Sequence, residues 1–277
     1  MPDPLSLGFM QNAYLVGTMV AIVASAVGFF VVLRGLAFAG HALSHIGFSG
    51  ATGAVLVGVS PLTGLLTFSI VAAVAMGALG ERLRGRDVAI GIVLAFSLGL
   101  GALFITLYTG YAGEAISILF GTIIGVSRQQ VLVTGLLGLL VLVGLGTMYR
   151  PLLFMSVAED VAMARGLPVR VLSAAFLVLV AVAVSVSVQV VGVLVIFALL
   201  IAPAATAAYL SARVLRGIGV AVVIGIVEVW LGITLAYYTS YPDSFFIAAI
   251  AVVFYGAARG VSRLSWVGSR QPEGASV

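Results

Sequence analysis

The sequence contains no cysteine and no lysine, and only two of its 277 residues are histidine. Without cysteine there can be no disulfides, iron–sulfur clusters or thiolate metal sites. No G-x-x-x-x-G-K-[ST] loop occurs, and its phosphate-gripping lysine is missing altogether. Any ATP-driven step therefore needs a separate ATPase chain. No Ser/His/Asp triad is assembled either. Charge is equally scarce, with 13 arginines, 9 acids and 8% charged residues overall. A soluble domain carries about 25%. So little charge cannot cover a solvated surface. This excludes an ordinary soluble domain and, despite a net charge of +4, a nucleic-acid-binding one.

What fills the chain is apolar: 62% of residues, with a mean hydropathy of +1.28. The apolar residues form long Leu/Val/Ala/Gly runs without the two-residue alternation of a membrane barrel. About 20 such residues in a helix cross the hydrocarbon core. The expected fold is an all-α polytopic membrane bundle of eight or nine helices. The predicted spans are 10–33, 38–58, 62–80, 88–108, 130–149, 169–187, 190–211, 216–238 and 245–261. The N-terminal stretch MPDPLSLGFMQNA has no basic n-region or cleavage site, so the first run is expected to be a retained span. Residues 1–263 read as one transmembrane domain, and 264–277 as a polar, disordered tail. The 34 glycines suit close helix–helix approach in lipid.

Segment 114–126 (EAISILFGTIIGV) is apolar but short, and reads either as a re-entrant piece or as a tilted span. Arginine position bears on this choice. Arg82, Arg84 and Arg86 form the densest basic cluster, which places their loop in the cytoplasm. Arg34, Arg150, Arg165, Arg170, Arg213, Arg216, Arg259 and Arg263 share that side if 114–126 does not fully cross. The N-terminus is then outside and the C-terminus inside.

After Arg150 comes the polar stretch SVAEDVAMARGLPVR, residues 156–170. Ser156 with Glu159 fits a capping box, and Gly166 followed by Pro168 fits a helix stop. The segment predicts a short cytoplasmic helix tied at both ends, either an ordinary loop helix or one that docks a partner.

His41 and His45, in GHALSHIGFSG, lie four apart and so share one helix face. Two neutral imidazoles one turn apart can bind one cation, of the zinc, copper, iron or nickel type. Ionisable groups within a span mark function by default, although a boundary histidine can simply hydrogen-bond a neighbouring helix. A membrane zinc protease would need H-E-x-x-H, and Ala42 cannot act as its base. Glu228 stands mid-span in GIVEVWLG; it is paired, protonated or lining a pathway, and is a candidate third metal ligand. Glu114 and Asp243 lie near the outer boundary. Pro203 breaks a helix ladder and reads as a kink or a pathway feature.

Five stretches, VVLRGLAFAGHALSHIGFSG, ILFGTIIGVS, SVAEDVAMARGLPV, QVVGVLVIFALLIAPAATA and YPDSFF, resemble in order and spacing the permease subunits of zinc/manganese/iron ABC importers. The resemblance covers most of the chain. It implies a permease dimer, formed with itself or a related permease, in the bacterial cytoplasmic (inner) membrane. Cytoplasmic ATP-binding subunits would drive it, and an extracytoplasmic metal-binding protein would deliver the ion. By the same resemblance Glu159, Asp160, Ala162, Ala164 and Gly166 belong to the helix that couples to the ATPase. Pro242 and Asp243 would lie at an outer gate. Two departures stand out. The family reads Gly-Asp-x-x-x-His, its Asp and His being the proposed intramembrane ligands, where this chain has Gly40, His41 and His45. It also tends toward Pro-Ser-Gly where this chain has Pro242, Asp243 and Ser244.

The expectation is thus a non-enzymatic permease moving a divalent transition metal by alternating access, zinc ahead of manganese and iron, with no permanently bound cofactor. A proton-coupled metal carrier, an ABC importer of a metal chelate and a non-transporting scaffold are the alternatives.

Overall fold

A computed structural model describes residues 6–79, 86–108, 119–121, 123–239 and 241–268, with the side chains of 79, 86 and 263–268 left aside. Arg82, Arg84 and Glu114 lie outside the described residues. The helices are α1 (Gly8–Leu33), α2 (Ala37–Leu56), α3 (Pro61–Leu79), α4 (Arg86–Leu107), α5 (Arg128–Val157), α6 (Glu159–Ala164), α7 (Val169–Leu210), α8 (Val214–Thr239) and α9 (Asp243–Gly268). A 3-10 turn at Ile123–Gly125 precedes α5. Eight helical segments are long and apolar enough to cross a bilayer, with α7 supplying two of them, Val169–Val191 and Val193–Leu210. α2 stays outside that set because its His, Ser, Thr and Gly residues lower its hydropathy, yet its 20 residues reach about 30 Å.

α7 is two helices joined at Gly192, whose φ of 82° and ψ of 163° are open to glycine alone. Contacts along α1 show that the two halves run in opposite directions. Ser173 meets Arg34 at one end of α1, while Leu200, on the second half, meets Gly28 near that same end. The helix therefore climbs to Gly192 and returns. The sequence placed this turn at 187–190, two residues early.

The same reasoning assigns the ends of the bundle. Tyr149 packs on Phe30, Gly217 on Phe29 and Tyr255 on Tyr209. Arg34, Arg150, Arg165, Arg170, Arg213, Arg216 and Arg259 therefore gather at one end, which the positive-inside rule makes the cytoplasmic one. At the opposite end Phe104 of α4 meets Gly53, Ile123 meets Gly17, and Gly135 of α5 meets Met19. α4 thus ends, and α5 begins, on the same outer side. Of the segment 114–126, residues 114–118 and 122 lie outside the described residues.

α1 and α7 form the core, and α1 is apolar on almost every face, as a helix surrounded by protein should be. α4 and α9 each bury only 17% of their span and turn Val88, Ile92, Phe96, Val252 and Val253 outward, the surface expected to meet lipid. Two local expectations need correction. Ser156 does not cap a helix: α5 continues through Pro151 to Val157, and Ser156 Oγ donates back to the Leu152 carbonyl at 2.7 Å. The capping box stands instead at Ser127 and Gln130, where α5 begins. α9 also runs on to Gly268, into the stretch expected to be a disordered tail.

Candidate functional site

The histidine pair sits on a helix with close backbone packing. α2 reaches α3 through glycines: a Cβ on Gly50 would stand 2.2 Å from the Gly64 carbonyl oxygen. Small residues permit such approach, and hydroxyls then bridge the helices. Ser69 Oγ donates to the Leu43 carbonyl at 3.2 Å, and Ser49 Oγ donates to the Ser97 carbonyl of α4. The face of α2 carrying Gly40 and His41 meets the second half of α7, where Leu200 touches Gly40 and Phe197 lies edge-on to His41 at 4.7 Å between centroids.

On that face the two imidazoles stand one turn apart, 4.6 Å between centroids. Both are half-buried, and both Nδ1 atoms are enclosed without a hydrogen-bond partner. A buried polar atom without a partner is rare in a finished structure and calls for an explanation. Here the orphaned atoms are of the kind that bind a borderline transition metal. Ser44 spends its hydroxyl on the His41 carbonyl at 2.7 Å and does not compete for the rings.

Glu228 lies elsewhere. It is fully buried on α8, and neither carboxylate oxygen has a hydrogen-bond partner. One turn before it, Gly225 packs against Ser25 of α1, whose hydroxyl is likewise enclosed and unpartnered. Among the described residues no group of three or more His, Asp or Glu could hold one ion, so Glu228 does not join the pair.

At the cytoplasmic end α6 is a single short helix anchored by one fully buried residue, Ala162. Asp160, Val161, Met163, Ala164 and Gly166 face outward, and Glu159 is half-buried. Gly166 (φ 79°) closes the helix, and Leu167 N–H donates to the Ala162 carbonyl at 3.1 Å. The predicted stop at Gly166 and Pro168 is therefore present. Exposed Val161 and Met163, beyond the lipid-facing spans, form a small apolar surface tied at both ends.

At the outer end Pro242 precedes α9 and Asp243 begins it, with the Asp243 carboxylate accepting from Ser244 N–H at 2.8 Å. Ser244 Oγ donates to the Phe120 carbonyl at 2.6 Å. Gly121 (φ 79°) lies backbone to backbone against the Gly192 turn: a Cβ on either glycine would come within 2.4 Å of the other segment's main chain. Residues 119–121, the α7 turn and the start of α9 thus meet in one knot. Sequence reading missed Phe197 and this knot. Glycine pairs at such distant positions carry no local signal, although Gly192 inside a long apolar run was a visible break. Pro203 lies in the second half of α7 without ending the helix.

A family model described as the ABC 3 transport family matches residues 6–259. The manganese transport system membrane protein MntC of Halalkalibacterium halodurans is 31% identical, the match covering 97% of this chain and 94% of that protein. The "probable iron transport system membrane protein" of Haemophilus influenzae is 28% identical over 95% of this chain and 97% of its own. Among solved structures, PsaBC from Streptococcus pneumoniae in complex with Fab is similar with a TM-score of 0.83, 29% identity and 92% of each chain covered. Among the described residues, eight spanning segments packed with a histidine-bearing α2, a short tied cytoplasmic helix and a match over nearly the whole length lead to one assignment: the chain belongs to the ABC 3 transport family, as a multi-pass permease subunit of a metal ABC importer.

Proposed function

We propose that this chain carries a divalent first-row transition metal ion across the bacterial cytoplasmic membrane, with His41 and His45 as a transient waypoint. The observation that carries the reading is the pair of enclosed, unpartnered Nδ1 atoms one turn apart on α2. Two nitrogen donors suit Zn²⁺ or Fe²⁺ better than hard Mn²⁺. We therefore place zinc ahead of manganese, although the relatives above are named for manganese and iron transport. Affinity resides in a separate extracytoplasmic binding protein, because a conduction site must release its ion. Paired permeases, this chain with itself or a relative, receive the ion. Cytoplasmic ATP-binding subunits dock on α6 and hydrolyse the ATP. Their closure moves α6 and rocks the bundle, and the outer knot of Gly121, Gly192, Pro242, Asp243 and Ser244 opens and closes the entrance.

The test is uptake of labelled zinc and manganese into cells making the chain with its ATPase and binding protein. Wild-type uptake should need the ATPase. His45→Ala should reduce it about tenfold or more, the scale of one lost ligand interaction, while the ATPase still copurifies. Uptake that ignores the ATPase would overturn the importer in favour of a proton-coupled carrier. Unchanged uptake in His45→Ala would remove the waypoint.

A further inference from the structure

We propose that Arg34 is a positioning residue that ties the ATPase-docking helix to the histidine pair, so that altering it uncouples ATP hydrolysis from metal movement. The proposal rests on the importer reading above and adds a route within it.

The route has little slack at either end. α6 closes on Gly166 and Leu167, after which Val169 N–H donates to the Leu167 carbonyl at 2.8 Å and Leu172 N–H to the Pro168 carbonyl at 3.0 Å. The link from α6 into α7 is thus bonded turn by turn, and a displacement of α6 passes to the first turns of α7. There the chain meets Arg34. Its Nη2 donates to Ser173 Oγ at 2.7 Å, and its Cζ lies 5.5 Å from the centroid of the buried Phe176 ring. Phe30, one turn back on α1, packs edge-on to the same ring at 6.3 Å.

On its other side Arg34 caps α1 at the corner into α2. Gly35 (φ 65°) turns the chain, Gly35 N–H donates to the Val32 carbonyl at 3.1 Å, and Leu36 N–H donates to the Val31 carbonyl at 2.8 Å. This Schellman closure fixes the exit direction of the chain. Gly40 N–H then donates to the Leu36 carbonyl at 3.0 Å, and His41 follows. Beyond the corner α2 packs mainly on α3, α4 and α7 and little on α1. The corner is therefore the covalent hold on the inner end of the helix that bears both histidines. Gly77 of α3 also presses on Ala174 of α7. That contact is apolar and non-directional; α3 also packs along α2, where Ser69 Oγ donates to the Leu43 carbonyl, but its chain connection to α2 lies at the outer end.

The residue type matters because the guanidinium does two things at once. Its Nη2 donates to Ser173 while its Cζ lies over Phe176, and the shorter, non-planar lysine ammonium reproduces that pairing poorly. A plain positive charge at the cytoplasmic boundary would be served equally by lysine. Arg34→Lys therefore separates a relay from a topological anchor, without the folding risk of Arg34→Ala.

The experiment uses the full complex, permease with its ATPase and binding protein, in proteoliposomes. It measures labelled zinc and manganese moved per ATP hydrolysed. Arg34→Lys should assemble normally and hydrolyse ATP within about twofold of wild type, while ions per ATP fall about tenfold, the upper range for residues along a coupling network. Ser173→Ala, which removes only the hydrogen bond, should lower the ratio about threefold on the same scale. An unchanged ratio in Arg34→Lys, or uptake and hydrolysis falling in parallel, overturns the relay and leaves the importer standing. A wild-type complex that hydrolyses ATP but moves neither metal overturns the importer reading and the relay with it.

Discussion

α2 and α8 each carry ionisable side chains inside the bundle, and they treat them in opposite ways. On α2 two imidazoles stand side by side, half-buried, each with one ring nitrogen enclosed and unpartnered. On α8 a single carboxyl is fully buried, and neither of its oxygens has a hydrogen-bond partner. Both arrangements break the rule that buried polar atoms find partners. Only the first also offers two donors to one ion and keeps part of each ring accessible. An ionisable group at mid-membrane is thus a weak pointer to an ion path, and grouping and access sharpen it.

The helices also differ in how firmly they are seated, and this sets the largest expected effect. A Cβ on Gly64 would stand 2.0 Å from the Gly50 carbonyl oxygen, a backbone atom that cannot step aside. A Cβ on Gly225 would meet the Ser25 hydroxyl at 2.3 Å, the end of a side chain that can rotate. Gly64→Ala should cost about 3 kcal/mol, and Gly225→Ala about 1 kcal/mol or less, within the range of overpacking. Thermal unfolding of the detergent-solubilised protein would read both. Equal losses would show that α2 is not the more rigidly held helix.

A smaller effect should come from restoring the family's oxygen donor. His41→Asp returns one hard oxygen and one negative charge to the site while keeping His45. Uptake should persist, and the ratio of zinc to manganese transported should shift toward manganese by about tenfold, or about 1.4 kcal/mol of relative preference. Competition between the two labelled ions measures it. An unchanged ratio would mean that the pair does not read the ion, however well it is placed to do so.

Much of this contrast could be read from residue order alone. Nine apolar segments, arginines at their ends and two histidines one turn apart are all local patterns, set by the length of a span and the pitch of a helix. The short helix Glu159–Ala164 was visible for the same reason, through Gly166 and Pro168. Its start was misplaced because Ser156 and Glu159 imitate a capping box, while Pro151 failed to stop α5. Other features depend on residues far apart in sequence: Gly121 against Gly192, Ser244 on Phe120, Phe197 on His41, and Arg34 on Ser173. Each is a meeting of helices, and no periodicity encodes which glycine of 34 faces which neighbour. Glu228 forms no three-residue group with the pair among the described residues for the same reason, since its depth was legible but its facing was not.

That facing sets the smallest predicted effect. α8 packs on α1, α7 and α9. The sequence of α1 has no charged residue between Gly8 and Leu33, that of α7 none between Val171 and Leu210, and that of α9 none between Ser244 and Ala258. No countercharge is thus available to Glu228 from the helices around it, and a lone buried charge there would cost about 3 kcal/mol or more. A residue on the ion path would be expected to reach solvent or a polar partner, whereas Glu228 is fully buried and neither carboxylate oxygen is hydrogen-bonded. Glu228→Gln preserves the shape and a hydrogen-bonding side chain while removing the acid. Zinc uptake should stay within about twofold of wild type, the spread of a near-neutral core change. If uptake instead collapsed while the complex remained folded and ATPase-bound, access in this arrangement would not distinguish the two sites. The carboxyl would then have to meet the ion in another state of the cycle, and the path would run along α1 and α8 as well as α2.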